Sequence, residues 1–207
     1  RVLWRNKLGL AVVVLLCFGV VEAYSYVSDW LAPKAAKVER GKADWPMFRG
    51  GLARTGAAND ESPDPNAAAN IWAFTRDTKT FYSSPGVLGN LVFVASVQGI
   101  GPFNLNGNGA IYCLDADSGN PLWKYTTKDF RATFSSPAVS GEYLVCGEGL
   151  HLVYDARINC LRLKGNSYEF LWSYTTRSHV ESSPCIYDKH AYVGAGDDGF
   201  YCMQLEP

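Results

Sequence analysis

Short apolar stretches separated by turn residues recur three times from residue 86 onward: Gly86-Val87-Leu88 before Val92-Phe93-Val94, Ala138-Val139 before Tyr143-Leu144-Val145, and Cys185-Ile186 before Ala191-Tyr192-Val193. Runs this short predict pairs of β-strands joined by tight turns. Each pair is headed by Ser-Ser-Pro: Ser83-Ser84-Pro85, Ser135-Ser136-Pro137 and Ser182-Ser183-Pro184. Each of those triplets begins ten to twelve positions after the tryptophan of a Trp-x-aromatic-Thr phrase, namely Trp72-Ala73-Phe74-Thr75, Trp123-Lys124-Tyr125-Thr126 and Trp172-Ser173-Tyr174-Thr175. The unit returns at about 50 residues, a period expected of a solenoid or propeller. The pattern predicts an all-β fold of four-stranded antiparallel blades, about three in this chain, with Trp72, Trp123 and Trp172 at equivalent outer-strand positions. Serines that recur in every unit are too regular to be nucleophiles, because a nucleophile needs one specific base beside it. They are expected to bond backbone at the start of the innermost strand.

The first thirty residues follow a different pattern. Leu8 to Val21 is uncharged and apolar, and the run extends to Val27 if Glu22 sits near the interface. That is about 20 residues, enough to cross a bilayer. Trp4 at one end and Tyr24, Tyr26 and Trp30 at the other resemble aromatic belts. No small-x-small cleavage site follows the run, and a leucine precedes Cys17 where a lipobox needs a small residue. A retained single-pass anchor is therefore expected. Gly9, Ala11 and Gly19 offer small surfaces for packing against other membrane subunits. Arg1, Arg5 and Lys7 are offset by Lys34, Lys37, Arg40 and Lys42 on the far side, so charge says little about orientation. The expected organisation is an anchor over 1–31, a linker over 32–43, an opening segment and loop over 44–70, and the repeats over 71–207.

Composition narrows the function classes. The chain of 207 residues is 47% hydrophobic and 19% charged, an ordinary globular balance. A net charge of −1 and a pI of about 6.3 argue against a nucleic-acid partner. Six cysteines include no Cys-x-x-Cys pair, so zinc-ribbon, thioredoxin and c-type haem spacings are all missing. Cys113, Cys160 and Cys202 fall at corresponding places in the three units, which reads most simply as a small buried hydrophobe. A disulfide such as Cys146 with Cys160 stays open, since geometry decides it.

Three motifs point to a family. Asp44-Trp45-Pro46-Met47-Phe48-Arg49-Gly50 closes with Arg54-Thr55-Gly56, and Ala110-Ile111-Tyr112-Cys113-Leu114-Asp115-Ala116-Asp117-Ser118-Gly119 runs on through Asn120-Pro121-Leu122 to Trp123. These resemble the opening segment and the tryptophan-docking repeat of the pyrroloquinoline-quinone-like β-propeller proteins, which include quinoprotein alcohol dehydrogenases and the lipoprotein of the outer-membrane barrel-assembly machinery. Gly194-Ala195-Gly196-Asp197-Asp198-Gly199-Phe200-Tyr201-Cys202 is similar to that family's hairpin between second and third strands, with Asp-Gly making a tight turn. The resemblance implies that Asp115 and Gly119 turn the chain between third and fourth strands, and that Trp72, Trp123 and Trp172 dock between blades.

The chain also departs from that pattern. Cys160 to Trp172 keeps the tryptophan but lacks the Asp-Gly turn, a Gly- and Asn-rich insertion spans Gln98 to Gly109, and the third unit stops at Leu205-Glu206-Pro207. Propellers use about four to eight blades, so the remaining blades are expected outside this chain. The family's enzymes carry calcium ligands and, in many members, adjacent cysteines over the quinone. No two cysteines here are adjacent, and no catalytic residue, quinone or catalytic metal is expected. Glu148, Glu181, Asp197 and Asp198 with His151 and His179 come from comparable loops and could hold a metal, but no ligand spacing compels a site. They are read as turn and solvated-loop residues. The favoured function is recognition by a membrane-anchored module on the periplasmic side of a bacterial inner membrane, an accessory subunit of a larger membrane complex. Its expected partner surface is the insertion, with Gln98, Phe103, Asn104 and Asn106, together with the loop carrying Glu148, His151, Asp155 and Arg157. The competing class is a quinone- or metal-dependent oxidoreductase completed by later blades.

Overall fold

A computed structural model describes residues 44–57, 70–75, 80–99, 107–151 and 153–206. The anchor and linker expected over 1–31 and 32–43, with Trp4, Gly9, Ala11, Gly19, Tyr24, Tyr26 and Trp30, lie outside the described residues, as do Phe103, Asn104 and Asn106. Among the described residues no helix is long and apolar enough to cross a membrane.

Among the described residues, eleven strands form three antiparallel sheets in chain order. The first holds β1 (Gly86–Leu88), β2 (Leu91–Gln98), β3 (Asn108–Asp115) and β4 (Pro121–Tyr125). The second repeats this as β5 (Ala138–Ser140), β6 (Tyr143–Gly147), β7 (Arg157–Lys164) and β8 (Ser167–Thr175). The third comprises β9 (Cys185–Tyr187), β10 (His190–Gly194) and β11 (Phe200–Gln204). The three apolar pairs of the sequence are thus the first two strands of each sheet. Trp123 and Trp172 lie in the fourth strands, whereas Trp72 lies in 70–75, a segment without strand pairing.

Burial on both faces explains why β3 and β7 are nearly continuous apolar runs rather than alternating ones. Tyr112 and Leu114 face one cluster with Phe74 and Phe81, while Ile111 and Cys113 face another, shared with Val139, Leu144 and Cys146 of the second sheet. The far side of the second sheet, with Val145, Ile158 and Cys160, packs on Ile186, Ala191, Val193 and Leu205 of the third. Each interior sheet face is therefore an inter-sheet core, and the repeats hold one another by apolar burial.

The same register shift occurs in both complete sheets. Cys113 faces Trp123 but Leu114 faces Pro121, and Cys160 faces Trp172 but Leu161 faces Phe170, so Leu122 and Leu171 are extra residues in the outer strands. A bulge there re-aims the side chain that follows it, and in both sheets that side chain is the tryptophan.

One expectation is corrected, one is met, and one open alternative is closed. The insertion is shorter than Gln98 to Gly109, because Gln98 pairs with Asn108 and Val97 with Gly109, which satisfies backbone groups at both ends. The hairpin expected between second and third strands is present, with β10 and β11 pairing up to Gly194 and Phe200; its turn is a single 3-10 turn, Gly196–Asp198, leaving through Gly199 at φ 108°. Cys146 and Cys160 cannot bond: Cys146 pairs with Asn159, so Cys160 points from the opposite face, and both thiols are free.

The opening segment is stitched to the innermost strands. Trp45 exchanges both backbone hydrogen bonds with Val87 of β1, at 3.0 and 2.7 Å, and the Pro46 carbonyl accepts from Val139 of β5 at 2.7 Å. Met47, 3% exposed, enters the core between second and third sheets.

Candidate functional site

The docking residues of the first sheet form a polar turn capped by an indole. Asp115 Oδ1 accepts from the backbone N–H groups of Asp117 and Ser118, at 3.1 and 2.8 Å, and from the Ser118 hydroxyl at 2.7 Å. Asn90 donates to its other oxygen at 2.7 Å. Gly119, at φ 70°, lies under the Trp72 ring so closely that a Cβ would stand 2.5 Å from it. Trp72 Nε1 then donates to the Ala116 carbonyl at 2.9 Å. Trp172 repeats the bond on the third sheet, Nε1 to the Leu205 carbonyl at 2.9 Å. Trp123 does not. Its ring sits 4.9 Å from Tyr168, its Nε1 is buried without a partner, and β7 runs on to Lys164 where the first sheet turns at Ala116.

The serines bond backbone as expected. Ser83 Oγ bridges both backbone groups of Ala95, Ser182 Oγ does the same at Gly194, and Ser135 Oγ accepts from Gly147 N and donates to the Ser182 carbonyl. The second serines link sheets: Ser136 Oγ accepts from Ser84 N at 2.9 Å, and Ser183 Oγ accepts from Ser136 N at 3.1 Å.

The connections that lead into the innermost strands and the loops between second and third strands share one end of the sheets. Glu148, expected on the partner surface, is not there. It is fully buried, paired with Arg157 and accepting the Arg131 N–H at 2.8 Å, and Arg157 also donates to the Asp129 carbonyl at 2.8 Å. Burial pushes the Glu148 carboxyl above its usual range, against the pull of Arg157 and the Arg131 N–H. The pair pins the β6–β7 loop to the β4–β5 connection, a structural task that an isolated Glu in sequence does not reveal. Asp155 and His151 are exposed, Arg157 and Gln98 partly buried.

The candidate metal set splits. Asp198 accepts from Arg177 N and the Tyr201 hydroxyl, in that order the causes that hold its carboxyl below the usual range. His151, His179 and Glu181, by contrast, converge: one ligand atom from each lies within 4.8 Å of the others, and the imidazole centroids are 5.1 Å apart. Reading both histidines as separate solvated-loop residues missed this meeting. The sequence signal was the spacing His179-x-Glu181, which places two ligands on one side of an extended segment; His151 joins them only because Gly147 and Gly149 let the loops touch. Elsewhere, an apolar cleft of about 400 Å³ between β8 and β11, lined by Trp172, Tyr174, Tyr201 and Met203 among others, carries no converging charged groups.

The family of the outer membrane protein assembly factor BamB matches this chain over residues 61–153 and again over 107–205. BamB from Moraxella catarrhalis is similar at 14% identity and a TM-score of 0.40, over 61% of this chain and 44% of that one. The computationally designed Ika4 protein is similar at 12% identity and a TM-score of 0.33, over 64% of this chain and 96% of the design. The chain thus spans less than half the length of that BamB. No curated protein matches it. With two overlapping matches covering the repeats, and with the docking turn and serine pattern in place, the chain belongs to the pyrroloquinoline-quinone-like repeat family of the outer membrane protein assembly factor BamB.

Proposed function

We propose that the three sheets are successive blades of a β-propeller that binds other proteins, tethered to a membrane and serving as an accessory subunit of a larger complex. One observation carries the reading: large aromatic side chains stand in water at one end of the sheets. Tyr82 and Phe134, 62% and 39% exposed, occupy the same register position before successive Ser-Ser-Pro triplets and meet edge to face at 4.9 Å. Tyr154, on the β6–β7 loop at the same end, is 67% exposed. Aromatic groups on a rigid scaffold are the anchors that protein interfaces use, and their exposure costs solvation that binding would recover. The family's name is that of an assembly factor, which favours the same reading.

Residues 8–27 are the proposed single-pass anchor, with the propeller on the periplasmic side of the inner membrane; the apolar run and its aromatic ends support the span. A photo-crosslinking residue at Tyr82 or Tyr154, in cells producing the full chain, is expected to yield discrete protein adducts. The same residue at Tyr187, 58% exposed at the opposite end of β9, serves as the control. Equal adduct patterns at all three sites, or none at Tyr82 and Tyr154, would sink the proposal. Extraction of the chain by alkaline carbonate would refute the anchor, and protease protection of the repeats in spheroplasts would refute the side. A stoichiometric quinone chromophore in the purified chain would instead favour the oxidoreductase reading.

A further inference from the structure

We infer that His151, His179 and Glu181 form a binding site for a divalent transition-metal ion of the zinc class, at the same end of the sheets as the exposed aromatics. The inference is independent of what the aromatics bind. Zinc holds nitrogen and oxygen ligands at about 2.0–2.2 Å, which sets tetrahedral ligand atoms about 3.4 Å apart. The three ligand atoms already lie within 4.8 Å of one another. A change of at most about 1.4 Å between side-chain atoms closes that gap. Two imidazoles and one carboxylate, with no thiolate, suit a borderline dication such as zinc rather than calcium or magnesium, which prefer oxygen alone.

The frame around the set is rigid. Val180 N donates to the Glu148 carbonyl at 3.0 Å, and Gly149 N to the Ala132 carbonyl at 3.0 Å, so the ligand-bearing segments are tied by backbone. A Cβ on Gly147 would meet Val180 at 2.4 Å, and one on Gly196 would meet the His179 ring at 2.7 Å. Glycine at both places lets the β6–β7 loop close on Val180, next to both ligand residues, and the Gly196 turn close on the imidazole. Ser178 Oγ lies 3.2 Å from His179 Nδ1. A partner on Nδ1 orients the ring and directs Nε2 toward a metal, as outer-shell partners do for ligating histidines. The His151 backbone N–H donates to Glu181 Oε1, which aims the carboxylate while its second oxygen can ligate. Three protein ligands leave a fourth position for water or for a group brought by a partner. An ordinary loop contact would need neither the ring-to-glycine closure nor the paired orientation of both His179 and Glu181.

The test uses the full chain, without a polyhistidine tag, stripped with a chelator and titrated with zinc sulfate in a calorimeter. One equivalent is expected to bind saturably and to raise the melting temperature, since zinc bound to the native state stabilises it. His151→Ala, on an exposed loop, should leave the fold intact by circular dichroism yet weaken zinc binding by about 100-fold or more, beyond the 10- to 100-fold typical for loss of an outer-shell partner. Glu181→Gln should weaken it as well, while His190→Ala, at a histidine on β10 that contacts the Asp188 carbonyl, should change nothing. Zinc X-ray absorption should report two imidazoles. Absence of saturable binding, or unchanged affinity in a folded His151→Ala protein, would overturn the site. Magnesium binding as tightly as zinc would overturn the metal class.

Discussion

Two of the three tryptophans that mark the repeat donate an indole hydrogen bond and one does not, and that difference is measurable. Trp123 is 9% exposed and packs with Phe93 and Tyr168, so Trp123→Ala is expected to cost about 3–5 kcal/mol as a large buried aromatic is removed. Phenylalanine separates packing from bonding. Trp172→Phe leaves the Leu205 carbonyl with only the weak Cys160 thiol donor, while Trp123→Phe removes an N–H that has no partner, so the first should cost about 1 kcal/mol more than the second in urea unfolding. Equal costs would show that the indole bond contributes nothing. The cysteines divide as sharply. Burial above all pushes the Cys113, Cys146 and Cys160 thiols up to about 12, so they stay neutral at pH 8, whereas Cys202 is exposed. Native protein at pH 8 should be alkylated at Cys202 and spared at those three until it unfolds, as peptide mass mapping would show.

At the scale of elements, two turns at the same place in the repeat solve one geometric problem differently. In the first sheet Asp115 Oδ1 collects three donors and Gly119 makes room for the preceding tryptophan; in the second, β7 and β8 extend until Gly165 and Asn166 close a two-residue hairpin. Both glycines have positive φ, 70° and 59°, but only Gly119 has an aromatic ring against its missing Cβ. Gly165→Ala should therefore cost about 1 kcal/mol for the left-handed backbone alone, and Gly119→Ala about 2–4 kcal/mol once steric overlap with Trp72 is added. Comparable losses in chemical denaturation would mean that the Trp72 ring moves aside freely. The bulge before each outer-strand tryptophan belongs to the same scale: it adds one residue to β4 and β8, and it re-aims the ring toward the neighbouring unit.

At the scale of the molecule, the units are joined by apolar faces and by a relay of serines that crosses from sheet to sheet. Ser136 Oγ takes the Ser84 N–H, and Ser136 N gives its own to Ser183 Oγ. The hydroxyl at 136 thus links two sheets without belonging to either ladder. Ser136→Ala is expected to destabilise by about 1–2 kcal/mol, the cost of a part-buried N–H left without its acceptor. Ser140→Ala, at an exposed end of β5, should be nearly silent. A silent Ser136→Ala would reduce the relay to coincidence. The opening segment acts at this scale too, since Trp45 and Pro46 bond the innermost strands of two sheets and Met47 fills the core between the second and third.

Much of this was legible in sequence because a repeat states its own alignment. The strand pairs, the serine contacts with backbone and the burial of Cys113 and Cys160 follow from local chemistry that the repeat writes more than once, where a chance pattern in one unit is checked by the next; Cys202, read as buried from the same register, is instead exposed, because β11 is an edge strand among the described residues. What sequence left undecided are the relations between segments far apart along the chain. Glu148 reads as a loop carboxylate and is a buried ion-pair partner, because Arg157 and Arg131 arrive from different connections. Cys146 and Cys160 read as a conceivable pair and face opposite ways, because a one-residue offset between adjacent strands reverses the face. His151 lies 28 residues before His179; the two rings meet only because three glycines let loops of two sheets approach within van der Waals range. Backbone bonding and alternation act between neighbours in the chain, so sequence determines them; convergence of side chains depends on how sheets stack, and only the tertiary structure decides it.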